Sequence, residues 1–154
     1  EAAFAFRHGM LKSLHRLEVL NEHWPDLLLE TEAILYMNGT GHYKKACRAF
    51  LDDKVQIQLE QLLVYFISTY FCGAVYDGEA LAKAQMSAVC TGQIFDLWLA
   101  RYIENENAIS EEEKIELLYR YSREIEHSDE NLKMIEEIMA GHKVPWLHNR
   151  VESK

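Results

Sequence analysis

Apolar residues recur along most of this chain at the three-and-four spacing of a helix face. Phe4, Phe6, Leu11, Leu14, Leu17 and Leu20 form the first such run, which predicts a helix over residues 3–20. Trp24-Pro25 breaks it, because the residue before a proline is pushed out of the α region. Pro25 suits the first turn of a second helix carrying Leu27, Leu28, Ala33, Ile34 and Leu35. Residues 38–41 (NGTG) read as the clearest loop, and a short helix is expected over 42–50. Asp52 or Asp53 is placed to cap a fourth helix reaching about Tyr76. Asp77-Gly78 punctuates, and a long helix follows over 79–104, where Thr91-Gly92 predicts a bend or a close neighbour. Ser110 with Glu113 is a capping-box pattern opening a helix over 111–126, and Ser128 opens a last one ending at Gly141.

The pattern therefore predicts an all-α protein: about six or seven helices in a single domain over residues 1–140, with 141–154 as a tail. Residues 62–76 (LLVYFISTYFCGAVY) are apolar round most of the helix, which predicts the buried central helix. That stretch is too short to span a bilayer, which takes about 20 apolar residues. No signal peptide is visible at the start, where Arg7 and His8 interrupt the first apolar patch.

Composition narrows the partners. Sixteen Lys and Arg against 25 Asp and Glu leave a net charge of −9, which repels nucleic acid and anionic membrane surfaces. The densest basic run, Lys44, Lys45 and Arg48, is followed at once by Asp52 and Asp53. Cys47, Cys72 and Cys90 are odd in number and widely spaced, which points to free thiols in a reducing, cytoplasmic setting, each packed as a small hydrophobe.

Metal chemistry has little support. Glu124-x-x-His127 has the spacing of a di-iron carboxylate ligand pair, but no second copy exists among the other six histidines. The dense polar cluster is Tyr119, Arg123, Glu126, His127, Ser128 and Asn131, at the break between the last two helices. Arg123, Glu126 and His127 are spaced to share a helix face. Two readings stand: the cluster pins two helices at an angle, or it lines a cleft for a charged ligand, with Tyr76 and Asp77 beside it.

Residues 63–83 (LVYFISTYFCGAVYDGEALAK) and 115–132 (IELLYRYSREIEHSDENL) carry two idiosyncratic strings: a Tyr70-Phe71 stretch ending at Tyr76-Asp77-Gly78, and Arg123-Glu124-Ile125-Glu126-His127-Ser128 running on to Asn131-Leu132. These strings, with Leu20-Asn21 and Trp24, resemble the C-terminal helical part of bacterial flagellin lysine-N-methylases. The resemblance covers most of residues 14–140. It implies that the full-length protein transfers methyl groups from S-adenosylmethionine to lysine side chains of flagellin. It also implies an iron–sulfur cluster held by closely spaced N-terminal cysteines, which the three scattered cysteines here do not match. The chain thus looks like the C-terminal portion of such a methyltransferase, inactive alone. If a cleft in this chain serves that reaction, the candidate catalytic residues are His127, Glu126 and Asp77, and the candidate cofactor-binding ones Arg123 and Tyr76. Asp77 and Glu126 would hold the lysine ammonium, and His127 would take its proton. The alternatives are a ligand-binding or dimerisation module of a regulator and a purely structural bundle.

Overall fold

A computed structural model describes residues 1–73 and 78–141. Seven α-helices run through them: α1 (Ala2–Ser13), α2 (Trp24–Tyr36), α3 (Gly39–Phe50), α4 (Asp53–Tyr70), α5 (Ala80–Glu104), α6 (Glu111–Ile125) and α7 (Asp129–Gly141). No strand occurs among the described residues. No helix among them is long and apolar enough to cross a membrane.

Local chemistry sets most boundaries. The Asp52 carboxylate accepts from the Val55 amide at 2.8 Å and starts α4. The capping box forms in full: Glu113 N–H donates to Ser110 Oγ at 3.1 Å, and Ser110 N–H donates back to Glu113 Oε2 at 2.9 Å. Ser128 Oγ accepts from Asn131 N–H at 3.1 Å and opens α7. Three expected boundaries move. Helix α4 ends at Tyr70 and passes into a 3₁₀ turn over Phe71–Gly73, short of the expected end near Tyr76. The first helix stops at Ser13, tightens into a 3₁₀ turn over Leu14–Arg16, and leaves residues 17–23 without a helix. The expected loop at 38–41 shrinks to a tight turn, because Gly39 takes a left-handed φ of +76° and α3 begins there.

The central helix is α5, not the stretch over 62–76. Helix α5 packs against α1, α2, α3, α4, α6 and α7, and residues 93–100 are buried without a break. In α4 only Val55 and Phe66 are fully buried. Ile57 and Val64 are each 58 % exposed, and Phe71 continues the same stripe outside the helix. These three lie seven residues apart, on the side opposite Val55 and Phe66. Helix α4 is thus apolar on both faces but covered on one, which is why periodicity placed it in the centre. We expect Val64→Ser to change stability by less than about 0.5 kcal/mol in urea denaturation, as an exposed substitution does. A larger loss would place Val64 in the core.

A buried polar knot ties the N-terminus to this centre. Asp96, 1 % exposed on α5, accepts from Arg7 Nη2 at 2.6 Å, Tyr36 Oη at 2.7 Å and Tyr43 Oη at 2.8 Å. Burial and the Asp96 charge hold both phenols above their ordinary range. Arg7 also donates to the Gly92 carbonyl at 2.7 Å. A Cβ at Gly92 would sit 3.2 Å from Arg7 Nη1, so the glycine permits a close neighbour, one of the two roles its position suggested.

Of the cysteines, Cys90 is buried, and burial pushes its thiol up to about 12. Cys47 is half-buried. Cys72 is exposed, against expectation: it falls beyond the end of α4, in a 3₁₀ turn with no buried residue.

Candidate functional site: a cleft between residues 17–23 and α6

Residues 17–23 have no helix to satisfy their backbone, so side chains from the α6–α7 junction do it. Asn131 Oδ1 accepts from Glu18 N–H at 2.8 Å, and Asn131 Nδ2 donates to the Glu18 carbonyl at 2.9 Å. The same amide nitrogen donates to the Glu124 carbonyl at 2.7 Å, tying both helices to the segment. Glu124 Oε2 accepts from Leu20 N–H at 2.9 Å. The odd string around His127 is therefore in large part a clamp on this segment.

Clamped this way, the segment stands off α6 and leaves a cleft of about 540 Å³, within the range of small-molecule sites. Leu20, Asn21, His23, Trp24 and Leu27 form one wall; Tyr119, Arg120, Arg123, Glu124 and His127 form the other. Arg123 is exposed there, and its Nη1 donates to Tyr119 Oη at 3.0 Å. Among the described residues no carboxylate pairs with it. Arg120 is paired with Glu116 one turn earlier. Glu124 is 1 % exposed, and its second oxygen, Oε1, is buried without a hydrogen-bond partner. In a chain of net charge −9, four cationic or protonatable side chains meet at this cleft around one carboxylate.

The expected cluster divides. Arg123 and His127 reach the cleft, and Tyr119 stands beside them. Glu126 does not share their face. A three-residue step turns it about 60° one way from Arg123, while a four-residue step turns His127 about 40° the other way. Glu126 Oε1 instead accepts from Tyr70 Oη at 2.8 Å and Tyr65 Oη at 3.0 Å on α4. Burial and then these hydrogen bonds raise both phenols. Ser128 and Asn131 are the cap and the clamp. Tyr76 and Asp77 lie outside the described residues. Among the described residues no group of three or more His, Cys, Asp and Glu side chains could hold a metal ion.

Glu124 was missed as a site residue. Its signal was present: it falls on the stripe of Leu117, Tyr121 and Ile125, the buried face of α6. A carboxylate on an apolar stripe must find a buried partner.

A family model for the FliB lysine N-methylase C-terminal domain matches residues 2–146. The chain belongs to this family. The match spans all seven helices and both cleft walls of this FliB-type domain. No curated protein and no solved structure matches the chain.

Proposed function

We propose that this FliB-type domain serves protein-lysine N-methylation, with S-adenosylmethionine as methyl donor and flagellin as the protein acceptor in the full-length protein. The observation that carries the reading is the cleft: a ligand-sized hollow in a lysine N-methylase family domain, holding an exposed arginine with no carboxylate partner among the described residues, beside an exposed histidine. The residues fit the cofactor's chemistry. Arg123 offers charge-assisted donors for a carboxylate, and Glu124 Oε1 is an unused acceptor. Bound there, S-adenosylmethionine would supply an activated methyl group.

The chain's own groups would bind and move a proton. Arg123 anchors the ligand from α6, a rigid support. Trp24 and Tyr119 narrow the cleft with aromatic surface. His127, exposed at the cleft, would accept the proton of a lysine ammonium, because the attacking amine must be neutral. Glu126, turned to the α4 tyrosines, is assigned no contact with the cleft ligand. In this reading the chain alone does not methylate, because the cluster-binding part of the enzyme lies elsewhere.

Calorimetric titration with S-adenosylmethionine tests this. We expect binding to the wild-type chain, and at least tenfold weaker binding to Arg123→Ala, since a charge-assisted hydrogen bond contributes about 1.5–3 kcal/mol. Arg123 is exposed, so melting should be unchanged. No binding to a folded wild-type chain would overturn the cofactor reading and leave the helix-pinning one.

A further inference from the structure

We infer that the cleft reads an α-amino acid group: Arg123 takes its carboxylate and Glu124 takes its ammonium. The inference rests on the cofactor reading above and deepens it, by naming which end of the ligand is recognised.

Two consecutive residues of opposite charge, Arg123 and Glu124, line the same hollow. An α-amino acid carries the matching pair on one carbon. Arg123 is free of carboxylates among the described residues, as an anion site requires. Glu124 is the stronger observation. It is 1 % exposed, Oε2 is taken by Leu20 N–H, and Oε1 has no partner. Leaving a buried carboxylate oxygen unpaired costs free energy, and an ammonium donor satisfies it. The geometry separates the two oxygens: a ligand on Oε1 does not compete for the oxygen that holds Leu20 N–H. Because Oε1 is sealed from solvent, binding must open the cleft locally. Residues 17–23 are the part able to give, since they lack a helix and their backbone is held by side chains at Glu18 and Leu20.

The remainder of the ligand would lie along Trp24 and Tyr119. Trp24 is buried and fixed against Tyr121, ring centroids 6.2 Å apart, so that wall is rigid. The site thus suits an amino acid carried on a flat aromatic group. It selects against the same aromatic group without the amino acid.

The test titrates the 154-residue chain with three probes. S-adenosylmethionine and S-adenosylhomocysteine keep the amino acid; 5′-methylthioadenosine lacks it. We expect the first two to bind and the third to bind at least 30-fold more weakly. Glu124→Gln, an isosteric change, should weaken S-adenosylmethionine at least tenfold and leave methylthioadenosine unaffected. Methylthioadenosine binding as tightly as S-adenosylmethionine would overturn this inference while the cofactor reading survives. A folded Glu124→Gln chain with wild-type affinity would overturn it too. If none of the three binds, the cofactor reading fails and takes this one with it. The wild-type ligand series decides the matter even if Glu124→Gln does not fold.

Discussion

Replacing Asp96 with alanine should destabilise the protein by about 3–5 kcal/mol, the cost of breaking a buried ion pair from one side. The carboxylate receives three side-chain hydrogen bonds from three different helices, α1, α2 and α3. Its loss would leave two buried phenol hydroxyls without an acceptor and the guanidinium with only the Gly92 carbonyl. The Arg7 side chain is 26 % exposed, so it would recover some hydration, which favours the lower end of the range. The Arg7 Nε already lacks a partner, so the knot has no spare acceptor to share. Urea denaturation would show a lowered midpoint with an unchanged slope. A loss below about 1 kcal/mol would mean that the four groups are not assembled as described. Replacing the whole set with apolar side chains should cost much less than Asp96→Ala, because an ion pair replaced from both sides leaves no stranded charge.

The second large effect is expected from Asn131→Ala. Its side chain makes three hydrogen bonds, two to Glu18 and one to the Glu124 carbonyl, and it is 2 % exposed. At roughly 1 kcal/mol for each bond, the loss should be about 2–3 kcal/mol. The effect should also be local. Amide exchange at Glu18 and Leu20 should accelerate far more than in α5, because the clamp on residues 17–23 is gone while the centre is untouched. Ligand binding in the cleft should fall with it, since that segment is one of the two walls. Asn131→Asp should not rescue. It keeps an acceptor for Glu18 N–H but has lost both donated bonds. It also adds a negative charge near the Glu124 carboxylate. Uniform acceleration of exchange across the protein would instead make Asn131 a general core residue and refute its role as a clamp.

The polar cluster shows where sequence reading reached and where it stopped. Arg123 and His127 line one hollow, but Glu126 serves the other side of α6. Residue spacing limits which side chains can share a face; neighbouring helices decide which do. Glu124 reads in the sequence only as half of an E-x-x-H metal pair, a reading that its spacing to His127 suggests and that says nothing of its burial. Its burial follows from the segment over residues 17–23, more than a hundred positions away in the chain, whose missing helix could not be read from periodicity. The Asp96 knot was missed for the same reason, since its partners come from positions 7, 36 and 43.

Helix content, the caps at Asp52, Ser110 and Ser128, and the family were legible directly from the chain, because capping and amphipathic spacing act over a few residues and the motif strings are contiguous. Which apolar helix became the centre was not. Helices α4 and α5 are both apolar enough to be buried, and only packing against six neighbours selected α5. The cleft belongs to the same class of outcome. It exists because a short unwound segment is tied by Asn131 and Glu124 across a distance that no local rule can see.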